Sequence, residues 1–437
     1  MQTKPTTIAT SAGASDARLC AVGALMHTLD KAKPLDGFWP QDRYFQMLSP
    51  SDRAFAQLLV KTTLRRLGQI DALLAQLMEK PVSAPRIAHT LRLGAAQLLF
   101  LGTPPHAAVH SSVELAKQLK LERLSGLVNA VLKKIAQDGA KLISTDDAAA
   151  ICTPAWLYAS WLSAYGKDTA HAIASSHLSE APLDISVKKN PAQWAETLGG
   201  QLLPNGTIRL AQARGLTQLA GFAEGEWWVQ DVAASLPAML LGNVKGKQVI
   251  DLCAAPGGKT AQLIAAGAKV TAVDQSKERM ALLKANLHRL KFSADYVVAD
   301  ALKYTPASAP DAILLDAPCS ATGTARRHPD VLRHRTSNDI SRLTQTQAAL
   351  LERAADMLKP GGTLVYAVCS LQPQEGEAQI EKFLAQRKDM ALQAIRPADI
   401  GGLTECITKR GELRTLPCHI QESGGMDGFY AAVLVKQ

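Results

Sequence analysis

The segment DLCAAPGGKT, residues 251–260, lies between a predicted strand and a predicted helix. Ligands of doubly wound α/β sheets bind at the carboxyl ends of the strands, so this turn is expected to line a binding site. Its two adjacent glycines would let the backbone come close to a bound molecule. The segment therefore predicts an α/β fold and locates the ligand site of that fold at this turn.

Short apolar runs alternate with helical patterns on both sides of this segment. The strand-like runs are 248–252, 269–273, 296–299, 312–315 and 363–368. Helical patterns such as 277–290 and 343–358 lie between most of them. This alternation predicts a Rossmann-like, doubly wound and mostly parallel sheet within residues 241–437.

Three nucleotide-binding motifs compete for the glycine-rich segment. A P-loop, suggested by Gly258 and Lys259, needs a glycine where the chain has Cys253. A dinucleotide fingerprint needs GxGxxG, which the segment lacks. An acidic residue followed by a glycine-rich turn is typical of class I methyltransferases, so we favour this third interpretation.

Aspartates at successive strand ends support a nucleoside cofactor. Asp274 follows the second strand and is placed for the ribose hydroxyls, while Asp300 follows the third and is placed for the adenine amino edge. Asp316 closes the fourth. One aspartate at such a position is usually only a helix cap. Three in succession favour a cofactor site.

Two cysteines follow neighbouring predicted strands, in DAPCS (316–320) and in YAVCS (366–370). We expect both Cys319 and Cys369 on the cofactor side of the sheet. A buried, inert thiol is the usual state of a single cysteine. Two at adjacent strand ends of one predicted site favour a shared chemical role.

Methylation of carbon 5 of a cytosine needs this set of groups. That carbon is too poor a nucleophile to attack a methyl sulfonium until a thiolate has added to carbon 6. The reaction needs a nucleophilic cysteine, a carboxylic partner at N3 and a group that assists release, and Asp316, Cys319 and Cys369 could supply all three. Spacing alone does not rank one cysteine above the other as nucleophile. An amino-group methyltransferase would instead show an Asn/Asp-Pro-Pro-aromatic motif on this strand.

The rest of the chain divides into two further predicted domains. Residues 15–145 show helical periodicity without a strand pattern, and residues 1–15 are expected to be a disordered lead-in. Residues 146–240 mix a strand at 183–188, a hairpin at 202–210 and two short helices. We predict an all-α domain, a small α/β connector, and then the domain of residues 241–437.

These motifs resemble those of the RsmB/NOP/Sun family of RNA 5-methylcytosine methyltransferases. The resemblance is carried by DLCAAPGGKT (251–260), DAPCSATGTARRHPD (316–330), VCS (368–370) and DGFYAA (427–432). The first part of the chain is similar to a NusB-like RNA-binding domain in PHAAVHSSVELAK (105–117) and GLVNAVLKK (126–134). One departure is Ala321, where the family usually has glycine; we expect no loss of activity from it.

The resemblance implies a set of functional residues and a cofactor, S-adenosylmethionine. It implies that Cys369 is the nucleophile and that Cys319 assists product release. Cofactor contacts are implied at Cys253, Ala254, Ala255, Pro256, Gly257, Gly258, Lys259, Asp274, Asp300 and Asp316.

A NusB-like part together with a part that resembles the RNA methyltransferases implies 16S ribosomal RNA as substrate. This RNA would be either naked or in an early assembly intermediate. The charge distribution agrees, because residues 1–145 hold 18 basic and 10 acidic residues and thus most of the net charge of +9. A basic module suits a polyanionic partner. We also expect phosphate contacts from Arg326, Arg327, Arg333 and Arg335, which follow the Cys319 segment. The alternatives are a transfer-RNA cytosine-C5 methyltransferase and a non-catalytic RNA-binding factor with a relic methyltransferase domain.

The remaining composition excludes several classes of protein. The seven cysteines are scattered and include no CxxC pair, so we expect neither disulfides nor a metal site. No apolar run approaches the roughly 18 residues that span a membrane, and the first residues do not form a secretory signal. We expect a monomer in a reducing cytoplasm.

Overall fold

The computed structural model describes residues 12–143, 147–210 and 215–437. The chain divides into two compact units. The first contains Met1–Ala159 and His328–Arg335, and the second contains Ser160–Arg327 and Thr336–Gln437. Within the described part of the chain, no helix combines the length and the apolar character needed to cross a bilayer.

Every regular secondary-structure element in the described residues of the first unit is a helix. Its helices pack around one apolar core that includes Leu25, Leu59, Ile87 and Leu132. A short π-helix, Met26–Asp30, follows the first α-helix. The α-helices are α1 Ala12–Leu25, α2 Arg43–Met47, α3 Pro50–Arg65, α4 Leu67–Leu77, α5 Pro85–Leu99, α6 Pro105–Gln118, α7 Ser125–Leu142, α8 Ala148–Cys152 and α9 Ala155–Tyr165, the last of which continues into the second unit.

The all-helical prediction for this region is confirmed for its described residues. The start of α3 shows why the boundaries follow the sequence: Ser49 Oγ accepts a hydrogen bond from the Asp52 amide, and Pro50 occupies the first helical position. The prediction of a disordered lead-in is wrong for residues 12–15, because these residues belong to α1. Residues 1–11 lie outside the described part.

A segment from far along the chain completes the helical unit. Residues 328–335 pack there, where Asp330 Oδ2 accepts the Leu35 amide at 3.0 Å. Arg333 Nη2 donates to the carbonyl oxygens of Leu64, at 3.0 Å, and Cys152, at 2.6 Å. The sequence did not predict this arrangement, because nothing local distinguishes the segment from a surface loop.

The second unit contains two sheets and the helices that cover them. Its elements in chain order, with the short helix α15 of the first unit included, are α10 Lys167–Ser176, β1 Leu183–Val187, α11 Pro191–Leu198, β2 Gln201–Leu202, β3 Ile208–Leu210, β4 Trp227–Val229, α12 Val232–Met239, β5 Gln248–Leu252, α13 Gly258–Ala265, β6 Lys269–Asp274, α14 Lys277–Arg289, β7 Asp295–Val298, β8 Ala312–Asp316, α15 Val331–His334, α16 Ser337–Met357, β9 Thr363–Val368, α17 Glu377–Gln386, β10 Met390–Gln393, β11 Leu413–Thr415 and β12 Phe429–Lys436.

The large sheet has the order β10-β12-β9-β8-β5-β6-β7, with β11 paired to β12. The five strands from β9 to β7 are parallel, as predicted. The chain moves outward from β5 through β6 to β7 and then returns to β8 on the other side of β5. The carboxyl ends of β5 and β8 therefore flank the topological switch point, where doubly wound folds bind their ligands.

Alternating side chains bury both faces of this sheet. In β9, Val365 and Ala367 belong to one apolar core, while Leu364 and Tyr366 belong to the core on the opposite face. Such two-sided burial explains the continuous apolar runs in the sequence. At one edge, β12 pairs antiparallel with both β9 and β10, which the expectation of a mostly parallel sheet did not include.

The domain boundaries at 145/146 and 240/241 remain predictions. The first of them lies outside the described residues, since residues 144–146 are not described. The connector region nevertheless forms its own antiparallel sheet of order β2-β3-β1-β4. The predicted strand at 183–188 and the predicted hairpin at 202–210 are both present in it.

A buried ion pair fixes this small sheet to the next helix. Arg209 Nε and Nη2 donate to the two carboxylate oxygens of Asp184, both at 2.7 Å, and both side chains are at most 4% exposed. Asp184 Oδ2 also accepts the amide of Val232 at the start of α12. The pair therefore ties two strands and a helix together.

Arg209→Met should lower the free energy of unfolding by about 3–5 kcal/mol, because it leaves Asp184 buried without its cation. Denaturant titration followed by circular dichroism measures this. Arg396→Met is the matched control, since Arg396 is 78% exposed in its pair with Asp399, and should change stability by at most about 1 kcal/mol. Equal effects of the two changes would contradict a structural role for the buried pair.

Candidate active site

The glycine-rich turn, residues 253–259, leads from the end of β5 into α13. Gly257 has φ of +102°, and a Cβ atom there would lie 2.8 Å from Leu283 Cγ, so a side chain does not fit. At Gly258 the nearest atom to a Cβ position lies 3.9 Å away. The backbone at the start of α13 is thus open to a ligand.

Asp251 carries a buried acceptor without a donor. The residue is fully buried, and its Oδ2 accepts the Thr260 hydroxyl at 2.6 Å. Its Oδ1 has no hydrogen-bond partner among the described residues. Burial raises the pKa of Asp251 to about 7, with the charge of Asp316 adding to the effect. A ligand that brings a donor or a positive charge would satisfy this oxygen.

Asp274 and Asp300 lie at the ends of neighbouring strands β6 and β7, as predicted. Asp274 is 2% exposed and accepts the amides of Ala255 and Ser276, at 3.1 and 3.0 Å. Asp300 accepts the Leu302 amide at 3.0 Å and is partly exposed. Asp274 thus holds the glycine-rich turn directly, while Asp300 is the predicted site residue at the strand furthest from the cysteines.

Lys259 and Asp316 form an ion pair across the switch point. Lys259 Nζ lies 2.8 Å from Asp316 Oδ2, and only 11% of the lysine side chain is exposed. Burial acts against the ammonium charge, but Asp316 outweighs it and raises the pKa of Lys259. The ammonium also lies 5.1 Å from the ring centroid of Phe429. The pair joins the glycine-rich turn to the β8 end.

Cys319 and Cys369 come together, with their Sγ atoms 3.4 Å apart. The Gly323 amide donates to the Cys369 carbonyl at 3.1 Å, which ties the two turns through their backbones. The hydrogen bond to Cys369, then burial and the charge of Cys369, raise the pKa of Cys319 well above its ordinary value. This shift favours the neutral thiol at position 319.

Cys253 also lies in the turn but has a different character. Burial, followed by the charges of Asp316 and Asp274, raises its pKa to about 12. A thiol in this state does not supply a thiolate near neutral pH. The Cys253 thiol is therefore unsuited to act as a nucleophile.

A buried glutamate that the sequence analysis missed contacts both cysteine-bearing turns. The Glu375 carboxylate is fully buried and accepts hydrogen bonds from Ser320 and Ser370, the residues that follow Cys319 and Cys369. Gln347 of α16 donates to it as well. In the sequence, Glu375 is recognisable only as an acidic residue shortly after the VCS segment. Acidic residues are common on protein surfaces, so this position did not stand out.

Two of the family-like motifs meet through glycines. The Gly428 amide donates to the Gly323 carbonyl at 2.8 Å, and a Cβ atom on Gly323 would lie 1.9 Å from the Gly428 carbonyl oxygen. Nearby, Ala321 has φ of +60°. A left-handed conformation costs a non-glycine residue roughly 1–2 kcal/mol, which gives a physical reason for glycine at this position.

The prediction that the arginines after Cys319 contact phosphate is wrong for Arg326. Its side chain is 3% exposed and lies 3.4 Å from Asp231. Arg327 Nε donates to Asp427 Oδ2 at 2.8 Å. Arg333, described above, donates to carbonyl oxygens of the helical unit. A run of arginines usually indicates a solvated face, but here buried acceptors and carboxylates bind the guanidinium groups.

Glu405, Cys406 and His419 form the one group of three possible metal ligands found among the described residues. Their ligand atoms lie within 4.8 Å of one another. His419 Nδ1 already accepts the Leu416 amide, and burial raises the pKa of Cys406 to about 12. These features make it a poor metal site, and the absence of a metal remains a prediction.

Comparison with known proteins identifies both parts of the sequence. Residues 238–435 match the family described as 16S rRNA methyltransferase RsmB/F, and residues 15–137 match the NusB family. The protein named ribosomal RNA small subunit methyltransferase B from Vibrio cholerae is 35% identical over 96% of this chain and 97% of its own. Its namesake from Sodalis glossinidius is also 35% identical, over 96% and 98% of the two chains.

Solved structures share the fold. The crystal structure of PH0851 superposes with a TM-score of 0.76 at 22% identity, covering 99% of this chain and 100% of the other. The structure of NSun6 from Pyrococcus horikoshii with SFG gives a TM-score of 0.54 at 21% identity, over 65% and 98% of the two chains. Given relatives of this identity over nearly its whole length, the chain belongs to the RsmB/F family of 16S rRNA methyltransferases.

Proposed function

We propose that this protein transfers the methyl group of S-adenosylmethionine to carbon 5 of a cytosine in 16S ribosomal RNA. The observation that carries the proposal is the pair of thiols of Cys319 and Cys369, which lie 3.4 Å apart beside the Lys259–Asp316 ion pair. The names of the relatives from Vibrio cholerae and Sodalis glossinidius support the RNA substrate.

Cys369 acts as the nucleophile. Its thiolate forms a bond to carbon 6 of the base, and the electron pair of the ring double bond moves to carbon 5. Asp316 is the carboxylic partner at N3. Two basic side chains act on the region of Cys369, because Cys369 contributes to the raised pKa values of Lys259 and Arg327, although burial opposes the charge of both.

S-adenosylmethionine supplies an electrophilic methyl group. After carbon 5 has been methylated, its proton must leave and the bond between carbon 6 and sulfur must break, which restores the ring and the Cys369 thiolate. Cys319 assists this stage. Once Cys369 is bonded to the base, the hydrogen bond and the charge that raise the Cys319 pKa are lost. Cys319 can then release its own proton to solvent, and the thiolate that this leaves takes up the carbon-5 proton, which restores the thiol.

Cys369→Ala should form no adduct with RNA and lose nearly all turnover, while it retains cofactor binding. Cys319→Ala should attack and methylate, then stall, and its RNA should migrate as a denaturant-resistant protein–RNA band on a gel. That band should disappear when Cys369 is also replaced. A 5-fluorocytosine substrate, which has no removable proton at carbon 5, should trap the parent protein in the same way.

The opposite pattern, an adduct in Cys369→Ala and none in Cys319→Ala, would exchange the two roles. If neither variant nor the fluorinated RNA gave an adduct, the covalent mechanism and the cytosine-C5 assignment would both fail. Cys253→Ala is the matched control, since its thiol lies near the same site but is held protonated by burial. It should form no stalled adduct.

The residues at the strand ends suit the cofactor. Asp251 Oδ1, to which no described residue donates, can accept a hydrogen bond from the cationic methionine portion of the cofactor. The backbone of residues 253–259 is open to the same ligand. Asp274 accepts two amides, and a carboxylate has about four acceptor sites, so it retains capacity for the ribose hydroxyls. We assign the adenine amino edge to Asp300 at the end of β7.

Asp274→Ala should weaken S-adenosylmethionine binding by roughly 10- to 100-fold, since a hydrogen bond to a charged group contributes about 1.5–3 kcal/mol. Isothermal titration calorimetry measures the change. Asp295→Ala, at the opposite end of β7, is the control because Asp295 is exposed and remote from the turn. Parent-like affinity in Asp274→Ala would show that this strand end does not hold the cofactor.

The helical unit is the RNA anchor in this proposal. The hairpin of α6 and α7, residues 105–142, carries six basic and three acidic residues. Lys120, Arg123 and Lys133 are exposed on it. Phosphate neutralisation by such side chains gives affinity without sequence specificity. A transfer-RNA substrate remains the second candidate for this surface, and a non-catalytic RNA-binding role is the third.

Replacing Lys120, Arg123 and Lys133 together with Gln should weaken RNA binding and reduce its salt dependence. Each lost phosphate contact should lower the slope of log K against log salt by about 0.7 on single-stranded RNA. Point changes suit this test better than removal of residues 1–145, because residues 328–335 need the helical unit as a partner.

The control replaces Lys382, Lys388 and Lys409, three exposed lysines of the second unit, with Gln, so that the net charge changes equally. An unchanged slope in the first triple variant, or equal slopes in the two, would show that the hairpin does not bind RNA. Comparison of ribosomal and transfer RNA as methyl acceptors separates the substrate alternatives. Absence of methyl transfer to either would favour the non-catalytic role.

We further propose that the protein acts as a monomer in the cytoplasm. Every group that the mechanism uses comes from one chain, and none of the steps needs a metal. Two thiols 3.4 Å apart require a reducing compartment if they are to stay unoxidised.

A further inference from the structure

Glu375 is a fully buried carboxylate that lies between α16 and the two cysteine-bearing turns. It has no place in the mechanism above. We propose, on the basis of the proposed function, that Glu375 is a positioning residue that fixes the Cys319 turn against the Cys369 turn. It acts through the serines that follow the cysteines and does not touch the reacting atoms.

The Cys319 turn is bound at two points. The Ser320 amide donates to Glu375 Oε1 at 2.9 Å, and the Ser320 hydroxyl donates to Oε2 at 2.5 Å. Because the peptide between Cys319 and Ser320 carries that amide, its direction is set by the carboxylate. The backbone from which the Cys319 thiol projects is therefore fixed as well.

The Cys369 turn is bound to the same carboxylate. The Ser370 hydroxyl donates to Glu375 Oε2 at 2.5 Å, and the two serine hydroxyls lie 3.0 Å apart. The Ser370 hydroxyl in turn accepts the Gln372 amide at 3.0 Å. One oxygen atom thus receives a hydrogen bond from each turn, which leaves little freedom for the turns to move apart.

The carboxylate is itself held from two sides. Gln347 Nε2 of α16 donates to Oε1 at 2.9 Å and to the Pro318 carbonyl at 3.0 Å. Tyr366 of β9 donates its hydroxyl to the Glu375 backbone carbonyl at 2.7 Å. A buried carboxylate is costly unless its acceptor sites are filled, and here four donors fill them.

The charge of Glu375 also acts on the Cys319 thiol. It contributes to the raised pKa of Cys319, after the hydrogen bond to Cys369, burial and the charge of Cys369. The same carboxylate that sets the geometry therefore favours the neutral thiol at position 319, in agreement with the roles assigned to the pair.

The test measures adduct formation on 5-fluorocytosine RNA in the full-length protein, with rate and amplitude recorded separately. Glu375→Ala should slow adduct formation by about 100-fold, the scale at which a misplacement of about 1 Å acts on a reacting group. The amplitude should stay near that of the parent, because folded molecules remain competent but misaligned. Glu375→Gln should recover most of the rate, since its amide can bridge both serines.

Glu381→Ala is the matched control, an exposed glutamate on α17 whose loss removes the same charge; it should react at the parent rate. Cofactor affinity should be parent-like in all variants. A parent-like rate in Glu375→Ala, or a loss of amplitude alone, would overturn the positioning role. Should Glu375→Ala fail to fold, Ser320→Ala and Ser370→Ala must each slow the reaction, and parent-like rates in both would overturn it.

A parent protein that forms no adduct would overturn the proposed function itself. That outcome is distinct from failure of the positioning role, in which the parent reacts and Glu375→Ala reacts equally fast.

Discussion

The parallel pairing of β5, β8 and β9 is the constraint on which the site depends. Leu252 pairs with Leu315, and Asp316 pairs with Ala367, so the three strands end together at one edge of the sheet. Each strand then continues into a turn with chemical groups: the glycine-rich turn, the Cys319 turn and the Cys369 turn. A shift of one residue in either pairing would turn the side chains to the opposite face and separate the thiols.

Much of this arrangement follows from local sequence. Continuous apolar runs of four to six residues predict strands buried on both faces. Parallel strands have their carboxyl ends at one edge, so Cys319 and Cys369 were expected to lie on the same side of the sheet. The position of Asp274 at a strand end follows in the same way. These predictions succeed because they need only the order and direction of the strands.

The features that were missed depend on packing between distant segments. Glu375 becomes important only because Ser320, Ser370 and Gln347 converge on it, and no periodicity encodes that convergence. Arg326 was expected at the surface because arginine is rarely buried, yet Asp231 and Asp427 surround it. Such buried charges contribute little net stability but strongly disfavour alternative packings in which one partner is lost.

The inclusion of residues 328–335 in the helical unit affects how the protein is made. On the ribosome, the first 159 residues emerge as a nearly complete helical unit, but its last piece is encoded 169 residues further on. At about 5–20 residues per second, translation delays that piece by on the order of ten seconds or more. During this interval the surfaces that receive Asp330 and Arg333 are uncovered. The helical unit, although first in the sequence, therefore finishes folding only after residues 160–335 have been synthesised.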